Sequence, residues 1–420
     1  MKRRKLFECH NTHGRRPQAG HDPHITYTSV VAPRDDRPIR AAAITAESGM
    51  RIGVPKEIKN HEYRVGLVPA AVAELIRHGH EVLIEHNAGA GINLYDQDYQ
   101  RVGACIVDSA EAVYTDADMI VKVKEPQPGE RKMLRREQIL FAYLHLAPDA
   151  EQTHDLIASS ASCIAYETVT DFRGRLPLLA PMSEVAGRLS IQIGAHCLEK
   201  SAGGSGILLS GVPGVAPGKV VIIGGGVVGH NAARIATGLG ARVIVLDQNL
   251  EALRHLDELF GSQIETVYSS PDNIQQQLTL ADLVIGSVLI PGAAAPKLVT
   301  REYLRLMQPG SVVVDVAIDQ GGCFETSHPT THDHPTFIEE NIVHYCVPNI
   351  PGAAARTSTF ALNQATLPFT LRLADHGLEA LRKDEHFRCG LNVHKGMVTY
   401  EKVALAHGYD YVPPIQALQR

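Results

Sequence analysis

Apolar and polar positions change rhythm along this chain, and the change separates an opening segment from everything after it. Residues 1–49 show little hydrophobic periodicity. From Met50 onward, short apolar runs alternate with longer stretches at helical spacing. MRIGVPKEI begins with an apolar strand that runs into a loop. The spacing predicts a helix over 68–78, closed by Gly79, and then a strand in EVLIE, Glu81–Glu85. DMIVKVKEP (118–126), QILFAYLHL (138–146) and SCIAYETV (162–169) are further apolar runs, with punctuation and helical stretches between them. This βαβα rhythm predicts a doubly wound parallel sheet. A long helix is expected over 182–200 and a glycine- and proline-rich loop over 203–218. A second βαβ series starts at Lys219 and runs through ADLVIGSVL (281–289) and SVVVDVAID (311–319) to VHYCVPN (343–349). The remainder, 361–420, is mostly helical in pattern. The expected fold class is α/β: two Rossmann-like doubly wound domains with a cleft between them, preceded by a disordered tail over 1–49.

Composition narrows the function classes. A chain of 420 residues suggests two or three domains. A formal charge of −6 gives no reason to expect a nucleic-acid partner. The first 49 residues hold nine basic and five acidic side chains, against a net negative remainder, and read as a tail without a folded role. Seven cysteines, widely spaced and without zinc-like or redox spacing, suit a reduced, cytoplasmic chain. No uncharged apolar run reaches the ~18 residues that a membrane helix needs. Histidines 328, 332 and 334 lie in a proline-flanked loop with no partner cysteine, and no metal is expected there. Cys323 reads as a small loop residue, and Lys56 and Glu57 as a solvated strand end.

The densest local signal is KVVIIGGGVVGHNAARIATGLGARVIVLD, 219–247. Gly224, Gly226 and Gly229 follow an apolar strand with G-x-G-x-x-G spacing, and a helix follows them. The first glycine permits the tight turn, the second the approach of a pyrophosphate, and the third close packing of helix on strand. A second strand ends in Asp247, where a carboxylate that holds an adenosine ribose belongs. With no cation at Gln248, Asn249 or Leu250, the expected cofactor is NAD rather than NADP. Other ionisable residues fall at strand ends: Arg64 after the first strand, Lys124 before Glu125-Pro126, His145 in AYLHLA and Asp319 closing VVVDVAID. Together they supply two cations for a small carboxylate, a general acid/base and a second carboxylate. His145, inside an apolar run, equally fits a buried structural histidine.

From Met50 to Arg420 the chain resembles the alanine dehydrogenase family. The matching words are MRIGVPKEIKNHEYRVGLVP, VKVKEP, LHLAPD, PMSEVAGRLS, GGGVVG, VVVDVAIDQGGCFETS and PNIPGAAARTST. The resemblance implies that Arg64 and Lys124 bind the substrate carboxylate and carbonyl, with Arg64 bidentate where geometry allows. It implies His145 and Asp319 as catalytic residues, and Ser183 and Asn349 near the nicotinamide. It also implies a split substrate domain, 50–177 and 356–420, enclosing an NAD-binding domain over 178–355, and a homohexamer. The implied activity is reversible oxidative deamination of L-alanine to pyruvate and ammonium. Two alternatives share the general pattern: the NAD-binding subunit of a proton-translocating transhydrogenase, and a saccharopine-type amino-acid dehydrogenase. One departure is Ala355, where the resemblance leads to an expectation of proline.

Overall fold

The computed structural model describes residues 49–288 and 295–420. The expectation of a disordered tail over 1–49 therefore falls, but for Gly49, outside the described residues. The described strands form two sheets. The first contains β1 (Arg51–Val54), β2 (Glu81–Glu85), β3 (Cys105–Val107), β4 (Met119–Val121), β5 (Ile139–Ala142) and β6 (Ser162–Ala165), all parallel. The second contains β7 (Lys219–Ile223), β8 (Arg242–Asp247), β9 (Ile264–Tyr268), β10 (Leu283–Gly286), β11 (Val312–Asp315), β12 (Thr336–Glu339) and β13 (Ile342–Tyr345). There only β12 runs antiparallel, at the edge.

The strands read as continuous apolar runs because both faces of each sheet are covered. In the first sheet, Ile52, Val54, Val121, Phe141 and Ile164 pack into one core, while Ile120, Leu140, Ala142 and Cys163 pack into another. In the second, Val220, Ile222, Val243 and Val245 face one way, and Val221, Ile223, Ile244 and Leu246 the other. The period-2 alternation of the strand divides each run between two layers of helices.

The region 361–420, expected to be mostly helical, contributes two strands. β14 (Leu391–His394) pairs antiparallel with β6, and β15 (Met397–Val398) pairs antiparallel with β14. The first sheet therefore runs β15-β14-β6-β5-β4-β1-β2-β3. Between them Lys395 (φ 46°) and Gly396 (φ 81°) form the two-residue turn with both central residues left-handed that suits a hairpin. The clue in the sequence is the Lys-Gly pair between LNVH and MVTY.

The second sheet has the order β12-β13-β11-β10-β7-β8-β9. β7 has β8 on one side and β10 on the other, so the winding reverses beside β7, and ligands of such sheets bind outside the strand ends at that point. The long helix expected over 182–200 spans Ala180–Cys197 and is followed by a short turn at Lys200–Ala202. It packs against the helix Val227–Gly238, which leaves the glycine turn.

Candidate active site

The glycine turn is built by backbone necessity. Gly224 has φ 109°, a value that favours glycine, and a side chain there would meet Ser287. A Cβ on Gly229 would lie 1.8 Å from the Gly224 carbonyl oxygen, so helix and turn close on each other only with hydrogen at that position. Gly226 is the N-cap of the helix Val227–Gly238, and no side chain caps the first N–H groups of that helix. Gly224, Gly226, Asp247, Ser183 and Ser287 line one cavity of about 810 Å³. Its opposite wall is the segment from Asp171 to Glu184 that leads from the first sheet into the long helix. Asp247 also shapes the turn: Oδ2 accepts from the Gly225 N–H at 2.5 Å, and Oδ1 from the Asn249 N–H at 2.7 Å.

The first sheet supplies a second set of residues. Arg64 follows β1, Lys124 follows β4 and His145 follows β5, and these three strands are neighbours in the sheet. Their side chains therefore gather at one C-terminal edge. Arg64 is almost wholly buried, at 2% exposure. Its Nε donates to Glu62 Oε1 at 2.7 Å and its Nη2 to Glu62 Oε2 at 2.5 Å. Nη2 also donates to Asn349 Oδ1 at 2.6 Å, and Nη1 lies 3.1 Å from the thioether of Met182. Burial works against charge on Glu62, but the Arg64 guanidinium outweighs it and holds the carboxyl down at about 2. The fork of Arg64 is thus already engaged by protein. Nη1 is the one terminal nitrogen of the fork whose protein partner, the Met182 thioether, is only a weak acceptor.

Lys124 is buried, and among the described residues its ammonium has no hydrogen bond or ion pair. Its charge, with that of Lys59, holds the half-buried Glu125 carboxyl below its usual range against the opposing effect of burial. Lys59 itself pairs with Glu125.

His145 is not the buried structural histidine that its apolar surroundings allowed. Its side chain is 43% exposed. It has φ 50°, a left-handed value uncommon outside glycine, though histidine adopts it more readily than most residues. Glu167 supports that conformation by accepting the His145 N–H at 2.7 Å and the Leu144 N–H at 3.3 Å. Tyr143 stacks on the imidazole with ring centroids 5.8 Å apart, and its hydroxyl donates to the Leu178 carbonyl.

Asn349 (φ 66°) follows β13 and reaches the first sheet's edge, bonding Arg64 and, through Nδ2, Glu62 Oε2 at 3.0 Å. The C-terminal edges of the two sheets therefore meet. Asp319 lies beyond the end of β11 on the turn Ile318–Gln320; it is exposed and has no hydrogen bond or ion pair to the other described residues. Its loop is anchored beneath by Asp315, which accepts the N–H groups of Ala317 and Cys323 and the Ser327 hydroxyl. Cys323 is buried in that loop, and burial pushes its thiol up to about 12. Among the described residues no group of three or more His, Cys, Asp or Glu is arranged to hold a metal ion. No described helix is long and apolar enough to cross a membrane.

Reading the residues one at a time missed Glu57, Glu62, Glu167 and Asp315. Glu57, expected to be solvated, is 6% exposed, while its neighbour Lys56 faces solvent. The signal that was available is density: Glu57, Lys59, Glu62 and Arg64 crowd a loop that leaves a buried strand, where charges must find partners.

Two sheets facing edge to edge, one with a glycine turn at its switch point, define a Rossmann-like α/β oxidoreductase. Residues 53–186 match the family model "Alanine dehydrogenase/PNT, N-terminal domain" and residues 190–401 match "Alanine dehydrogenase/PNT, C-terminal domain". The chain belongs to the alanine dehydrogenase/PNT family. It is 56% identical to the alanine dehydrogenase of Halomonas elongata over 364 residues, 86% of this chain and 98% of that one. A solved L-alanine dehydrogenase superposes with TM-score 0.83 at 51% identity, covering 86% of this chain and 99% of the other. A transhydrogenase from Sinorhizobium meliloti shares the fold, with TM-score 0.71 at 24% identity over 83% of this chain and 99% of the other.

Proposed function

We propose that this chain catalyses the reversible, NAD-dependent oxidative deamination of L-alanine to pyruvate and ammonium. One observation carries the reading: Arg64, Lys124 and His145 share the C-terminal edge of three neighbouring strands, and Asn349 ties that edge to the sheet bearing the glycine turn. A small carboxylate held there lies where the two sheets meet. High identity to curated alanine dehydrogenases over almost their full length supports the same reaction.

The residues present suit NAD. The uncapped N–H groups that follow Gly226 suit a pyrophosphate, and Asp247 at the end of β8 suits a ribose diol without a 2′-phosphate. Bound NAD would supply the hydride acceptor. On the protein side, Arg64 Nη1 holds the alanine carboxylate, and Lys124 lies beside the carbon that becomes the carbonyl. Loss of hydride from Cα leaves an imine, to which water adds. His145 takes a proton from the attacking water and returns one to the departing nitrogen. Asp319 holds the ammonium or orients the water.

In this reading residues 178–355 form the cofactor domain, and 50–177 with 356–420 form the substrate domain. The enzyme works in the cytoplasm as a homohexamer, the assembly that the resemblance implies, and light scattering on the purified protein checks that state. The activity is tested by NADH formation from alanine and NAD, read by absorbance, with serine and glycine in parallel, and by NADH consumption with lysine plus 2-oxoglutarate. Turnover of alanine above the others is expected. Reduction of NAD by none of the three amino acids, or faster oxidation of NADH with lysine plus 2-oxoglutarate, would overturn the assignment.

A further inference from the structure

Lys122, Glu57 and Glu130 form a buried charged triad directly behind the substrate edge. All three side chains are essentially inaccessible. Lys122 Nζ lies 3.0 Å from Glu57 Oε2 and 2.9 Å from Glu130 Oε1. Glu130 also accepts the Gln127 N–H at 2.7 Å. The remaining oxygen of Glu57 leaves the triad: Oε1 accepts the backbone N–H of Val123 at 2.7 Å and that of Lys124 at 3.3 Å. Two carboxylates share one ammonium. Burial pushes the Glu57 carboxyl up, with Lys122 acting against that push, while the two carboxylates keep Lys122 charged despite its burial.

A buried ion group of this kind is weak as a stabilising device, because its desolvation offsets most of the attraction. What it does supply is direction. Glu57 belongs to the loop between β1 and Arg64, whereas Val123 and Lys124 continue β4. The carboxylate therefore joins the chain that carries Arg64 to the chain that carries Lys124, at the backbone of Lys124 itself. The pairing of Lys59 with Glu125 closes the same two segments one residue further on.

We propose that Glu57 is a positioning residue for substrate binding, fixing the backbone of Lys124 relative to Arg64 so that both cations address one small carboxylate substrate. The proposal rests on the functional reading above. A loss of register of about 1 Å between two clamp residues costs on the order of 10²-fold in a preorganised site.

The test compares Glu57→Gln and Glu57→Asp with the parent enzyme. Gln keeps one acceptor but turns an N–H₂ toward Lys122. Asp keeps the charge but is one methylene too short to reach both N–H groups and Lys122 together. For each folded variant, KM for alanine is expected to rise at least ~10-fold while the Kd for NADH, read by fluorescence, stays within ~2-fold. Should Glu57→Gln fail to fold, Glu57→Asp decides. A merely structural glutamate would lower Tm and the active fraction but leave KM for alanine unchanged, and that result overturns the proposal. A parent that does not oxidise alanine at all overturns the functional reading instead, and the positioning role with it.

Discussion

Arg64 Nη2 donates to Asn349 Oδ1 at 2.6 Å, across 285 positions of sequence. One residue belongs to the loop after the first strand of the first sheet, the other to the segment after the last strand of the second. The cation assigned to the substrate is thus gripped by the half of the molecule that carries the glycine turn. Asn349→Ala removes that grip. A hydrogen bond to a charged group contributes roughly 1.5–3 kcal/mol, so KM for alanine should rise by about tenfold or more. Steady-state kinetics with alanine check this, and an unchanged KM would show that the contact is incidental.

The clamp cations themselves should matter more. Lys124→Ala and Arg64→Ala should each lower kcat/KM for alanine by at least ~10²-fold, with NADH binding retained. Arg64→Ala also strands Glu62 in a buried site without its cation, so this variant alone should melt at a clearly lower temperature. Steady-state kinetics and calorimetry separate the two effects.

The same pair imposes a pH signature on stability. Glu62 titrates at about 2 in the folded chain, below its ordinary value of 4.5. A depressed carboxyl contributes stability that is full above the unfolded value and is lost as pH falls through the folded one. Glu62→Gln should therefore be less stable than the parent at pH 7, and the gap should narrow between pH 4.5 and 2. Denaturant melts over that range read the gap directly; an equal gap at both ends would exclude the linkage.

His145→Asn is a cleaner substitution than most at a catalytic position. Asparagine tolerates the left-handed backbone seen at φ 50°, and the N–H held by Glu167 is retained. Without an imidazole to move protons the variant should fold, bind NADH and turn over alanine at least ~10²-fold more slowly. A less stable variant with parental turnover per folded molecule would mean that His145 only packs.

Cofactor choice rests on Asp247. A 2′-phosphate would meet its charge at close range, so the parent should favour NAD over NADP by at least ~10²-fold in kcat/KM. Asp247→Ala should lose most of that preference. Because the carboxylate also holds the Gly225 N–H at 2.5 Å, the loss should come chiefly from poorer use of NAD, not better use of NADP. Equal use of both cofactors by the parent would refute this account.

The parts of the molecule that were legible in the sequence are those whose cause is local. The turn at Gly224, its flanking strand and helix, and Asp247 all lie within one short βαβ unit, where period and spacing determine geometry. Arg64, Lys124 and His145 stood out because polar residues closing apolar strands are few. Glu57 was misread because its partners are 65 to 67 positions away, so nothing beside it in the chain announces its burial. Glu62 went unremarked because one of the partners that close on it, Asn349, lies 287 positions away. The hairpin β14–β15 escaped notice because its strands are short and set among helices.

That hairpin has a consequence for how the chain is made. The second sheet lies in one continuous stretch and can close as soon as that stretch has left the ribosome. The first sheet cannot: β6 waits for β14, about 230 residues later in synthesis, before its outer edge is paired. Until then the nascent chain presents an open, apolar strand edge of the kind that recruits other chains. Premature termination anywhere between Ala165 and Leu391 would make that exposure permanent, so the last thirty residues guard the solubility of the whole product.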